Sequence, residues 1–312
     1  MYRKTRRTKT MTIAAIAALA FTFQAIQVSA TNLSTAYASS VGTISAASPT
    51  SVVNQFEALL KQNQISKAFT YLKAHIVEVN KSQATLMVLH LENAVKKQLP
   101  ALQKRFEALS VQKGIGKAYK KGDSFDNVIS RTTDKTLKGM LMSARDSGYK
   151  LETAEGFFFP VVNYTGFKIF ADRVNSDIST YIDIMSVETE QAPLKDAALV
   201  IGYQQLVNRA LSQEKFLSLY PHSNRANHIG NLLLSYRTLT YYGANNTPLF
   251  GYDYKLMNAN AQKAYKAMLQ RNDPKSSAYL NLLQQFMDVV EKNNYKLNAE
   301  VEKFRKDKVP NN

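Results

Sequence analysis

The sequence predicts an all-α fold: a multi-helix bundle of roughly eight to ten helices, with one short extended aromatic segment and a long C-terminal helix. Three observations carry that expectation. Apolar residues recur at steps of three and four through most of the 312 residues, the spacing of helices that bury one face. Only at residues 152–164, Glu-Thr-Ala-Glu-Gly-Phe-Phe-Phe-Pro-Val-Val-Asn-Tyr, does that rhythm give way to an apolar, aromatic run. Near the C-terminus Leu283, Val290, Leu297 and Phe304 fall at strict sevens, a coiled-coil-like seam along one helix.

The chain opens on a segment that reads as an address rather than as fold. Arg3, Lys4, Arg6, Arg7 and Lys9 precede the apolar run 11–23, and Val28-Ser29-Ala30 offers the small residues of a signal-peptidase site. The run is shorter than the ~20 residues that cross a bilayer. Residues 1–30 therefore read as a secretory signal peptide, with no transmembrane span left after cleavage. Residues 31–49 are small and polar and read as a flexible linker. A single all-helical domain is expected over 50–308, with a disordered tail at 309–312.

No cysteine occurs, which excludes disulfides, thiolate metal sites and a cysteine nucleophile. A cysteine-free exported chain points to an extracellular or cell-wall-associated protein of a Gram-positive bacterium. Five basic and no acidic residues lie in the leader, so the formal net charge of +16 falls to +11 beyond it. That balance favours polyanionic partners.

In order, the first helix carries Val53, Phe56, Leu59 and Leu60 behind a cap at Thr50 or Ser51, and a second starts near Ser66. The clearest stripe is Val88, Leu91, Val95, Leu99, Leu102, Phe106 and Leu109, with Lys96, Lys97, Lys104 and Arg105 off it and Pro100 placed to kink or split it. Residues 113–122, Lys-Gly-Ile-Gly-Lys-Ala-Tyr-Lys-Lys-Gly, read as a basic loop. They lack the spacing of a phosphate loop, since Val111 stands where the earlier Gly is needed and Ala118 where Ser or Thr is needed. A helix over 133–147 is closed by Gly148 as a C-cap. Further helices are expected at 166–174, 176–186, 194–219 and 224–241. A long loop rich in turn residues and aromatics follows at 243–254, and two last helices are separated by Asp273-Pro274.

Candidate chemistry is sparse. The four histidines show no zinc spacing, and neither a nucleophile elbow nor a calcium loop is present, so no metal or cofactor is expected. Glu152 and Glu155, at the head of the aromatic run, are the weak catalytic candidates, because an apolar setting raises a carboxyl pKa toward general-acid work. Binding candidates fall in two groups. Lys113, Lys117, Lys120 and Lys121 with Tyr119 would touch an anionic polymer. Tyr241, Tyr242, Phe250, Tyr252 and Tyr254 would supply flat faces with polar tips.

The expected function is that of a secreted, non-enzymatic, cell-envelope-associated protein that recognises an anionic cell-wall polymer or glycan, with no specific nucleic-acid partner. The alternatives are a cell-wall glycan hydrolase with Glu155 as general acid, and a helical module that docks on an envelope protein.

Overall fold

Helix formation starts at the first capping residue. In the computed structural model, which describes residues 48–310, Ser48 accepts the amide of Ser51 and Pro49 fills the first helical position of α1 (Pro49–Lys61). The cap thus stands earlier than Thr50 or Ser51. The expected signal peptide 1–30 and residues 31–47 of the expected linker 31–49 lie outside the described residues, while Ser48 and Pro49, expected in that linker, already belong to the start of α1. α2 (Ile65–His75) pairs with α1 and leads into α3 (Lys81–Phe106), whose start is fixed by a reciprocal Asn80–Gln83 capping box. α3 runs unbroken through Pro100, which lies on its exposed side, instead of splitting there.

α4 (Leu109–Ala118) replaces most of the expected basic loop. Ile115 and Ala118 are buried beneath it, so the apolar pattern outweighs the two glycines. α5 (Phe125–Arg131) and α6 (Lys135–Asp146) follow, each started by a side-chain cap. Gly148, at φ +86°, ends α6 as expected.

The aromatic run is the second arm of a β-hairpin. β1 (Tyr149–Ala154) and β2 (Phe157–Val162) pair antiparallel from Tyr149↔Val162 to Ala154↔Phe157. Glu155 and Gly156 form the two-residue turn at φ +50° and +80°, the conformation whose twist matches paired strands. Pro160 can sit there because β2 is an edge strand. Gln112 of α4 covers part of that edge, accepting the Phe158 amide at 2.9 Å and donating to the Phe158 carbonyl at 2.7 Å.

α7 (Tyr164–Phe167) and α8 (Ser176–Glu190) close the first half. The expected helix over 194–219 is two elements. β3 (Leu194–Lys195) and β4 (Ala198–Leu199) make a short hairpin through Asp196 and Ala197, both at positive φ, and only then does α9 (Tyr203–Leu219) begin. α10 (Ala226–Tyr242) packs along α9, and β5 (Gly243–Ala244) pairs with β6 (Thr247–Pro248) inside what read as a loop. α11 (Ala259–Arg271), α12 (Ala278–Lys292) and α13 (Ala299–Lys308) complete the chain.

The architecture is all-α with three small hairpins, and its described residues form thirteen α-helices, more than the eight to ten expected. The surplus comes from short helices in segments that read as connectors. The long C-terminal rod is two helices: Asn294 and Tyr295 take positive φ, and Asn298 caps a fresh start. Val309, expected in a disordered tail, is buried, and its carbonyl accepts the Tyr242 hydroxyl at 2.9 Å.

Two apolar clusters fill the interior of the described residues. One is built chiefly from α1 to α8 and the other from α9 to α13, with Leu217 and Leu232 packed against both. No helix among the described residues is long and apolar enough to cross a membrane.

Candidate functional site: a cleft framed by two hairpins

Non-helical backbone gathers at one place in the C-terminal half. The β3–β4 turn and the β5–β6 turn are tied to each other. Asn246 donates its amide N–H to the Ala197 carbonyl at 2.9 Å and its side-chain nitrogen to the Asp196 carbonyl at 2.6 Å. Thr247 Oγ1 accepts the Leu199 amide at 2.7 Å. The chain after β6 folds back through Gly251 N–H to Leu256 O at 2.9 Å, and Asn258 N–H reaches Leu249 O at 2.8 Å.

Between these segments lies a cleft of about 450 Å³, lined by Leu199, Ile201, Tyr203, Asn246, Thr247, Pro248, Gly251, Leu256 and Asn258. The lining mixes apolar faces with amide and hydroxyl groups and holds no carboxylate, imidazole or ammonium. Asn246 spends one side-chain N–H on Asp196, leaving the other to donate and its carbonyl oxygen to accept, and Thr247 keeps its hydroxyl hydrogen to donate. Several residues around the cleft hold unusual backbone: Asp196, Ala197 and Lys255 have φ near +50° without being glycine. At Asp196 and Ala197 it is the two-residue turn that the β3–β4 hairpin requires.

The Tyr-rich candidates divide across this region. Tyr252 and Tyr254 are 76% and 79% exposed, on the segment between the cleft residues Gly251 and Leu256. The Tyr252 hydroxyl donates to the Asn245 carbonyl at 2.9 Å, which holds it beside the β5–β6 turn. Tyr241 and Phe250 are buried in the second core, where each packs edge-on against Phe286, so both belong to the scaffold. Tyr242 is half-buried beneath the Arg305 guanidinium.

Lys113, Lys117, Lys120 and Lys121 are all exposed, the first two one turn apart on α4 and the others in the turn after it. None of the four is in an ion pair among the described residues. Tyr119 is half-buried: its ring meets Phe158 at a tilt with centroids 4.8 Å apart, and its hydroxyl accepts the Gly122 amide.

The carboxylate candidates are not brought together. Glu155 is exposed at the tip of the first hairpin, and Glu152 pairs with Lys150 at 2.7 Å. Neither lines the cleft.

Sequence reasoning missed the densest group of charges, which is inside. Glu92 of α3 lies buried among Lys96 at 2.6 Å, Arg225 at 2.6 Å and the hydroxyls of Tyr164 and Tyr181. Burial pushes its carboxyl pKa up, but Lys96 and then Arg225 outweigh that and hold it at about 2. His228 beside them is held down to about 4, by burial first and by Lys96 next. The signal was in the stripe: Glu92 and Lys96 are an i, i+4 pair interleaved with the buried Leu91 and Val95. Lys96 therefore does not lie off the apolar face. The cluster joins α3, α7, α8 and α10 as a closed polar joint.

Among the described residues no group of three His, Asp or Glu side chains lies close enough to hold a metal ion. Neither a protein-family model, nor a curated protein, nor a solved structure matches this chain.

Proposed function

We propose that the chain is a non-enzymatic binding protein of the cell envelope whose ligand is an anionic glycopolymer. The observation that supports this most is the hairpin-framed cleft, with its mixed amide and apolar lining and the exposed Tyr252 and Tyr254 on its bordering segment. Sugar and polyol units present hydroxyls to amide groups and C–H faces to aromatic rings, which is what such a surface offers. The four free lysines of α4 and its following turn supply the complementary charge for phosphate or carboxylate along the polymer. A lining without carboxylate, imidazole or ammonium favours retention over turnover. The positively charged leader and the cysteine-free composition agree with a place outside the cell.

The test is calorimetric titration of purified soluble teichoic acid into the wild-type chain and two variants. Tyr252→Ala with Tyr254→Ala should weaken binding by about five- to hundredfold, since each aromatic contact contributes roughly 0.5–1.5 kcal/mol. Replacing Lys113, Lys117, Lys120 and Lys121 by Glu should weaken binding most at low salt. Equal affinity in all three proteins, or release of soluble sugar during the titration, would defeat the proposal.

A further inference from the structure

A second concavity lies between α8 and α9, apart from the hairpin cleft. It encloses about 410 Å³, within the roughly 300–1,000 Å³ typical of small-molecule sites. Ile184 and Val187 of α8 and Phe216 and Leu219 of α9 form its apolar walls. Val187 and Leu219 are 44% and 57% exposed, so this apolar surface faces solvent although the two helices pack together.

The polar part of the lining carries unequal charge. Arg209 is buried, stands 3.5 Å from Glu188 and donates to the Gln191 carbonyl at 2.8 Å, yet its Nε–H has no acceptor. Glu188 accepts the Tyr236 hydroxyl at 2.7 Å, and burial, opposed by Tyr236 and Arg209, still leaves its carboxyl pKa above the usual range. Burial thus disfavours the charged form of this carboxylate, and the guanidinium beside it lacks a full set of acceptors. At the mouth, Asp183 is already paired with Lys168 at 3.1 Å, whereas Lys215 is exposed and in no ion pair among the described residues. The uncompensated charge beside the apolar walls is positive.

We propose that this groove binds a single-chain anionic amphiphile, with its hydrocarbon tail along Val187, Phe216 and Leu219 and its head group drawn by Lys215 and Arg209. Its volume, within the range of small-molecule sites, fits one short hydrocarbon chain with its head group. The anionic head could be a carboxylate or a phosphate, so both are probed.

The experiment titrates dodecanoate, dodecyl phosphate and dodecanol into the full chain, each below its micelle-forming concentration. Saturable one-to-one binding is expected for at least one anion, at least tenfold tighter than for dodecanol. Whichever anion binds tighter identifies the head group. Val187→Ser with Leu219→Ser changes two solvent-facing wall positions without adding charge and should weaken binding of anion and alcohol alike at least tenfold, with folding checked by a retained cooperative thermal transition. Lys215→Glu should erase the preference for the anion over the alcohol. The proposal is overturned if neither anion saturates, if dodecanol binds as tightly, or if the wall variant binds like wild type. Because no residue of the hairpin cleft is touched, this outcome is independent of the glycopolymer reading.

Discussion

Acid should loosen this protein through one carboxylate, Glu92. In the fold its pKa lies at about 2 against an ordinary 4.5, because Lys96 and Arg225 more than offset the burial that would raise it. A depressed carboxyl contributes stability that is complete above 4.5 and is lost as pH falls through 4.5 toward 2. The difference of roughly 2.5 units corresponds to about 3 kcal/mol at ~1.36 kcal/mol per unit. Glu92→Gln removes the charge at every pH and strands two buried cations, which costs about 3–5 kcal/mol at neutral pH.

Urea unfolding of both proteins between pH 7 and pH 3 checks the reasoning. The wild type should lose stability steeply below pH 4.5, Glu92→Gln should lose less over the same range, and the gap between them should narrow on acidification. His228, held neutral in the fold, adds a loss in the same direction between 6.5 and about 4 in the wild type, and its pKa should fall further in Glu92→Gln, where the Glu92 charge that raises it is gone. Glu188 acts oppositely, since its pKa is raised. A gap below 1 kcal/mol at pH 7, or one that stays constant down to pH 3, would refute the account of the buried joint.

Further expectations concern the backbone and the exposed candidates. Gly243→Ala would place a Cβ 2.5 Å from both Leu249 N and Thr247 O at φ +80°, so it should destabilise the fold by roughly 1–3 kcal/mol and disrupt the β5–β6 turn, read by the thermal midpoint together with polymer binding. Gly156→Ala has open space around it and meets only the backbone penalty, so about 1 kcal/mol is expected in the same unfolding assay. Glu155→Gln, at an exposed turn, should change stability by less than about 0.5 kcal/mol and leave polymer binding intact; a clear loss of either would return Glu155 to the list of functional groups.

The sequence was most legible where one apolar face decides local structure. The α3 stripe predicts the helix and the buried Val88, Leu91, Val95 and Phe106, whereas Leu99 and Leu102 are half-buried and Leu109 is exposed at the start of α4; the Gly148 stop stands where expected. Glycine misled at 114 and 116. Gly114 lies where an added Cβ would approach Leu137 Cδ2 to 2.4 Å, so it serves close packing of α4 against α6 rather than a loop, and that need is invisible locally. The first hairpin hid behind Glu155-Gly156, a turn pair less telling than Asn-Gly, and behind a proline that only an edge strand tolerates.

The heptad run beyond Val290 was interrupted by Asn293-Asn294, a stop signal that the sevens obscured. Of the candidate site, the segment 243–254 was legible as unusual, but its division was not. Tyr241 and Phe250 turn inward because α12 supplies Phe286 to meet them, a partner some forty residues away. The cleft itself depends on β3–β4, which helix-like residues such as Leu194 and Ala198 concealed, and it is closed by hydrogen bonds between segments about fifty residues apart.

The most direct test of the central claim is retention of the purified protein on isolated cell walls, with and without their teichoic acid, across a salt series and with soluble glycan assayed in the same tubes. The account predicts retention that requires the teichoic acid, weakens as salt rises and releases no glycan. Equal retention on walls stripped of the polymer, or none on either, would contradict it.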